Sequence, residues 1–244
     1  MGNSNDVSVH ILGVSGSPQN GATKYSVQES LKAAQEIGGV TTDFVDLRGM
    51  KINFCIHCNR CVKEGVQYCP SFNGKDDMTL ELYQRIVAAD GLIFGSPVYQ
   101  MTLSGQLQTF INRLRPIAPL YAKGHWATRV GGAIAVGGTR HGGQETTLET
   151  INNFFLCTGM VNVSGGIFAY NGGSIWSQNR KAEGASEDTT GMGTVRVLGR
   201  RVAYMAKILK SGAESLSNYY SPSLFTGVIP EEDTKERKEK FIGD

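Results

Sequence analysis

The sequence predicts an α/β fold built on a doubly wound, five-stranded parallel sheet. Two observations carry that prediction. Short β-branched or apolar runs alternate with helix-length segments along most of the chain, and the links between them are rich in glycine, serine and proline. Every crossover between successive runs is also long enough to hold a helix, which parallel pairing requires.

The elements follow in order. Residues 7–14 (VSVHILGV) read as a strand, the loop SGSPQNGAT as its exit, and residues 24–37 as a helix. Residues 42–46 (TDFVD) form a second strand. Residues 51–75 have neither helical nor strand period and hold most of the cysteines. Asp76 or Asp77 is expected to cap a helix that runs to Ala89. A buried strand at 91–95 (GLIFG), a helix at 105–114, a strand at 129–136 and a helix at 144–158 come next, with a fifth strand at 161–168. Residues 170–190 are polar and rich in glycine and serine, 193–210 are helical, and 211–244 read as loop, including the charge-dense EEDTKERKEK as a solvated extension.

Composition excludes several functions. The chain has 244 residues, a net charge of +2 and no dense Lys/Arg stripe, so nucleic-acid binding has no electrostatic support. No run reaches the roughly 18 apolar residues of a membrane helix. The opening MGNSND lacks the features of a secretory signal, and Asp6 stands where a myristoylation motif needs Ser or Thr, so a cytoplasmic location is expected. Four of the five cysteines fall between Cys55 and Cys69, which in such a chain argues for metal or redox chemistry over disulfides.

Ligands of open parallel sheets sit beyond the carboxyl ends of the strands, and three loops should lie on that edge. The first runs from Ser15 through Ser17, Gln19, Ala22 and Thr23 to Lys24. Its hydroxyls and backbone N–H groups at a helix start suit a phosphate monoester such as that of FMN; neither a Walker loop nor GxGxxG is present. The second contains Pro97, Val98, Tyr99, Gln100, Met101 and Thr102, where Tyr99 and nearby amides can face a flat ring. The third contains Gly138, Thr139, Arg140, His141 and Gly142, with glycines that let backbone approach a ligand; His141 reads as a loop histidine beside it.

Cys55, Cys58 and Cys61 form C-x2-C-x2-C, and Cys69 follows with Pro70 after it. Three thiolates at that spacing can wrap a cubane corner, with Cys69 as fourth ligand to one [4Fe–4S] cluster. Zinc is the competing metal; it prefers two separated knuckles, although His57 could replace a sulfur. Cys157, alone on an apolar helix, is expected in the core.

Taken together, GSPQNGAT, GSPVYQMTLSGQLQTFINR and GGTRHGGQETTL resemble the flavodoxin-like NADPH-dependent FMN reductase superfamily. That resemblance implies phosphate contacts from Ser17, Gln19, Thr23 and Lys24. It also implies that Pro97 to Thr102 and Gly138 to Gly142 hold the isoalloxazine ring. Gln19 departs from the arginine many members carry after Ser-Pro, which removes a charge-assisted contact. The compact cysteine motif followed by Asp76-Asp77-Met78 is similar to the iron–sulfur flavoproteins of anaerobic archaea and bacteria.

That likeness implies a homodimer or homotetramer and FMN with a [4Fe–4S] cluster. It divides the chain into a flavodoxin-like domain at 1–170 and a C-terminal loop, helix and tail at 171–244, packed on the same domain or a neighbouring subunit. The expected function is a flavin-dependent oxidoreductase relaying single electrons between a carrier such as ferredoxin and a small-molecule acceptor, with ferredoxin or NAD(P)H as the electron donor. The alternative is an NAD(P)H-dependent flavin, quinone or nitroaromatic reductase whose cysteine loop is metal-free or zinc-bound. An oxygen-sensing regulatory protein ranks last.

Overall fold

The computed structural model describes residues 7–216. In chain order the elements are β1 (Val9–Ser15), α1 (Ala22–Gln35), β2 (Val40–Asp46), the short α2 (Arg60–Lys63), α3 (Leu80–Ala88), β3 (Gly91–Pro97) and α4 (Gly105–Asn112). Two 3-10 turns follow (Arg115–Lys123 and His125–Thr128), then β4 (Val130–Gly137), α5 (Gln144–Cys157), β5 (Val161–Asn162), β6 (Gly173–Trp176), α6 (Lys181–Glu187) and α7 (Thr189–Ser215). All pairings are parallel, in the order β2-β1-β3-β4-β5, with β6 also on β4. The expected fold class is therefore the observed one.

Alternation along the central strands divides the core into two layers, because successive side chains leave opposite faces. Leu12, Val14, Leu92 and Phe94 pack under α3, α4 and α5 with Tyr83, Ile86, Phe110 and Phe155. Ile11, Ile93, Val130 and Ile134 pack under α1 and α7 with Val27, Leu31, Leu198 and Val202. Glycines let the helices close on the sheet. A Cβ at Gly131 would stand 2.3 Å from the Phe155 ring, and one at Gly199 would stand 2.0 Å from the Ser30 backbone oxygen, so α7 lies directly on α1.

The structure corrects four expectations. Strand 161–168 stops at Asn162: Gly165 donates to the Ala169 carbonyl and Gly166 takes a φ of 103°, which turns the chain off the sheet. The chain returns as β6 inside a segment that read as polar loop, where Ile134 pairs with Gly173 and Gly137 with Trp176. The helix after the cysteine loop is capped by Thr79, whose Oγ1 accepts from Leu82 N, rather than by Asp76 or Asp77. The last helix is longer than 193–210 because Asp188 caps it, accepting from Gly191 N, while its other oxygen accepts from Trp176 N. The basic and acidic EEDTKERKEK run lies outside the described residues.

Candidate functional site

The loops after β1, β3 and β4 are bonded into one rim. Gly16 N donates to Gly95 O at 2.8 Å. Ser104, fully buried at the start of α4, donates through Oγ to Gly16 O at 2.6 Å and accepts from Leu107 N at 3.2 Å, while its own N–H donates to Ser96 Oγ at 2.9 Å. One serine thus caps a helix and ties the first loop to the second. The second and third are joined by Thr146, whose Oγ1 donates to Met101 O. Sequence reasoning missed Ser104 and Thr146; a serine just ahead of a helical run was the available sign for the first.

In the first loop Ser17 is buried and its Oγ accepts from Gln19 N at 3.1 Å. Ala22 and Thr23 are buried in the first turn of α1, whose N-cap, Gly21, supplies no side-chain hydrogen bond. Amides of that turn are open to an anion. Ser15 Oγ is buried without a partner among the described residues. Gln19 is exposed. Lys24 turns to Asp46 at the end of β2, 3.1 Å away.

The second loop leaves β3 at Pro97 and Val98. Tyr99 and Thr102 exchange backbone hydrogen bonds at 2.8 and 3.0 Å across Gln100 and Met101, whose φ values are 48° and 66°. Both central residues are therefore left-handed, as in a type I′ turn, a conformation that usually selects Asn-Gly. Holding Gln and Met there costs on the order of 1 kcal/mol each, and such strain gathers at ligand clamps. Tyr99 and Met101 are exposed at its tip.

The third loop is braced from within by Gln144, whose Nε2 donates to Thr139 O at 2.6 Å and whose Oε1 accepts from Gly142 N at 2.9 Å. Arg140 stacks over the Trp176 ring at 4.1 Å, and Trp176 Nε1 donates to Gly138 O at 3.0 Å. His141 is exposed. A turn after β6 joins the same rim: a Cβ at Gly138 would meet Asn179 Oδ1, and one at Gly21 would lie 3.7 Å from Lys181 Cβ. Gln178, Asn179 and Lys181 all have φ near 55–57°. Arg180 pairs with Glu187 and Glu183, whereas Lys181 is exposed and pairs with no carboxylate among the described residues. Nothing local in the sequence marked Lys181, because β6 carries it there.

The cysteine loop is closed at its base by the two aspartates that were expected to cap a helix. Asp77 Oδ2 accepts from Lys51 N at 2.6 Å, and Asp76 Oδ2 accepts from Asn53 N at 3.0 Å. Asp76 also receives the Arg113 guanidinium from the end of α4; these side chains are 0% and 1% exposed. Burial pushes the Asp76 carboxyl up, but hydrogen bonds from Arg113 and Asn53 leave it below its ordinary value. Arg113 donates to Asn53 O at 2.8 Å and lies 4.9 Å from the Phe72 ring centre. A second brace runs from Arg115 to Asn59 Oδ1 at 2.7 Å. His57 and Asn59 alternate with the cysteines in left-handed conformations, φ 53° and 56°.

Cys55, Cys58, Cys61 and Cys69 line one small cavity with Arg113 and Arg115. The Ser71 hydroxyl at 3.3 Å holds the Cys58 thiol below its ordinary value, while burial pushes Cys61 up. A sulfur-only donor set beside two guanidiniums fits an anionic thiolate cluster in chemistry. Among the described residues, however, no three Cys, His, Asp or Glu side chains converge closely enough to hold one ion. Cys157 departs from expectation: it is exposed at the end of α5 rather than in the core.

A parallel sheet in the order β2-β1-β3-β4-β5 with linked loops at its carboxyl edge defines a flavodoxin-like α/β fold, with the ligand edge at those loops. Residues 9–174 match the NADPH-dependent FMN reductase family. An iron–sulfur flavoprotein of Methanocaldococcus jannaschii is 41% identical over 206 residues, covering 82% of this chain and 96% of the relative. One from Archaeoglobus fulgidus is 38% identical over 199 residues, covering 80% and 96%. Among solved structures, a flavodoxin-type, WrbA-like protein from Agrobacterium tumefaciens has a TM-score of 0.57 at 19% identity, over 82% of this chain and 99% of that one. The chain belongs to the NADPH-dependent FMN reductase family and, within it, to the iron–sulfur flavoproteins. It is a flavin-dependent oxidoreductase, and no helix among the described residues is long and apolar enough to cross a membrane.

Proposed function

We propose that this protein relays single electrons between a carrier such as ferredoxin and a small acceptor, using FMN at the three-loop rim and a [4Fe–4S] cluster on Cys55, Cys58, Cys61 and Cys69. The observation that carries this reading is the pairing of two sites in one chain: a bonded rim at the sheet edge, and four thiols around one cavity. Bound FMN exchanges electrons singly or in pairs, and a cubane cluster exchanges them singly.

The residues divide the work. Ser17, Thr23 and the open amides of α1 hold the phosphate, and Lys181 supplies the cation that Gln19 does not. The strained turn at Gln100 and Met101 presents backbone to one edge of the ring, with Tyr99 beside it. Gln144 keeps the Gly138 to Gly142 backbone fixed for the other edge. Asp76 and Asp77 hold the cysteine loop in register, and the Arg113 and Arg115 guanidiniums offset thiolate charge. The assembly is a homodimer or homotetramer, and the location is cytoplasmic.

Anaerobically prepared protein is expected to carry about one FMN and four iron atoms per chain, with an EPR signal on reduction. Cys55→Ser, Cys58→Ser, Cys61→Ser and Cys69→Ser should each lose iron and retain flavin. Flavin without iron in the parent protein would refute the relay. A second reading draws on the finding that no group of three Cys, His, Asp or Glu side chains among the described residues is set to hold a metal ion. In it the protein is an NAD(P)H-dependent flavin, quinone or nitroaromatic reductase with a metal-free or zinc-bound loop. Rapid bleaching of the flavin by NADPH, with no faster reduction by ferredoxin, favours that reading.

A further inference from the structure

The back of α7 carries an apolar stripe that nothing among the described residues covers. Val197, Tyr204 and Ile208 recur at helical spacing on the side away from the sheet, and all three are exposed, Tyr204 by 57%. Leu198, Val202 and Ala206, on the opposite side, are fully buried. Arg201 lies within the stripe and adds the hydrocarbon of its stem. The stripe runs on into the loop after β5. A Cβ at Gly166 would stand 3.3 Å from Val197 Cγ1, and Ile167, Phe168 and Tyr170 beside it are exposed, Phe168 by 81%. Contiguous apolar surface of this kind marks a place where something docks.

The sequence that follows α7 fits it. Residues 217–230 (SNYYSPSLFTGVIP) hold no charged side chain, in a chain where charged residues make up 19%. They carry Tyr219, Tyr220, Leu224, Phe225, Val228 and Ile229, and the charge-dense run begins only at Glu231. Few charges and many aromatics are the reverse of a solvated tail. The geometry gives the segment access. Asp188 caps α7 beside Trp176 at the carboxyl edge of the sheet, and Lys210 near its other end donates to Ser8 O and Asp90 at the amino edge. The chain therefore leaves α7 at Leu216, about 12 Å along the helix from Ile208 and about 28 Å from Val197. Pro222 disfavours a helix through 217–230, and an extended run of that length reaches about 46 Å, enough to pass Val197 and meet Phe168.

We infer that residues 217–230 fold back along α7 of their own chain and cover the stripe from Ile208 to Phe168. The tether decides between this occupant and a separate molecule. A short flexible link holds its segment at an effective concentration near the millimolar range, which a second copy or a foreign partner has to exceed. The inference depends neither on FMN nor on an assembled cluster.

The test places the photo-crosslinker p-benzoylphenylalanine at Phe225 of the full-length chain. Isotopically light and heavy chains are mixed in urea, refolded together and irradiated, and the adducts are read by mass spectrometry. Adducts should fall on 166–170 and 197–208 and join light to light and heavy to heavy. In a second measurement chymotrypsin cuts after Tyr219, Tyr220 and Phe225. Tyr204→Asp, at an exposed position, should speed that cleavage at least fivefold, Tyr204→Phe should match the parent, and unchanged unfolding midpoints show that both variants are folded. Light-to-heavy adducts would mean that the surface belongs to a second copy, and overturn the same-chain assignment. Adducts elsewhere, or none, overturn the surface. Equal cleavage of the parent and Tyr204→Asp removes the stripe as the segment's contact.

Discussion

The Asp76–Arg113 pair allows a direct test of what holds the cysteine loop. Asp76→Asn removes one charge and leaves the shape nearly unchanged, so the Arg113 guanidinium, 1% exposed, loses its counter-ion in place. Breaking a buried pair from one side costs about 3–5 kcal/mol. The structure argues for the lower end. Arg113 retains its bond to Asn53 O and its position over Phe72, and the asparagine can still accept from Asn53 N. A loss of about 3 kcal/mol corresponds to roughly 6–12 °C in Tm for a chain of this size. The control is Arg200→Ala, which breaks a pair with Glu36 whose side chains are 41% and 55% exposed and should cost under about 1 kcal/mol. Urea unfolding of the three proteins measures both effects, and limited proteolysis should show faster cleavage within 51–75 for Asp76→Asn. If Asp76→Asn costs no more than Arg200→Ala, the pair does not brace the loop and the reasoning fails.

Further outcomes follow from the same geometry. Hydrogen bonds to Arg113 and Asn53 outweigh burial and depress Asp76, so its stabilisation is complete above the unfolded value and is lost as pH falls through the lower folded one. The parent chain should lose stability more steeply than Asp76→Asn below about pH 4, seen in urea midpoints taken from pH 6 to 2.5. Lys181→Ala should weaken FMN by about fivefold, or about 1 kcal/mol for an exposed cation, and leave riboflavin unaffected; fluorescence quenching titrations measure both. Equal losses for the two flavins would remove Lys181 from the phosphate site. In Gly199→Ala the new methyl meets the Ser30 carbonyl oxygen at 2.0 Å. The overpacking cost of about 1–3 kcal/mol should exceed the roughly 1 kcal/mol gained in helix propensity. A more stable variant would show that α7 does not depend on close approach to α1.

The parts of the fold legible in the sequence are those fixed by local pattern. β1, β3 and β4 are apolar runs ending in small-residue loops, and the rim forms because each such run ends on the same edge. What stayed hidden depends on residues far apart in the chain. β6 has four residues, and among its side chains Ile175 alone is that of a fully buried large hydrophobe, so only pairing with β4 makes it a strand. Asp76 looked like a cap because its partner, Arg113, lies 37 residues further on. Lys181 has no motif of its own; Gly21 and Lys181 meet because α6 packs on α1. Cys157 read as core because α5 is apolar, but the end of that helix borders a cavity instead of filling it.

One short helix sets the spacing between the two sites. Ser104 at the start of α4 ties the first loop to the second, and Arg113 at its end anchors the cysteine loop, both fully or almost fully buried. Nine residue steps along the helix, from Ser104 to Arg113, separate them by about 13 Å. An α-helix held by tertiary bonds at both ends is a stiff spacer, so loosening one end need not disturb the other. At the rim, three hydrogen bonds through Ser104 remain when Asp76 is replaced, and none involves the cysteine loop. Asp76→Asn should therefore free the thiols while leaving FMN affinity at the parent value. A matched loss of flavin and loop order would mean that α4 transmits motion between the sites, and that the two centres are one mechanical unit.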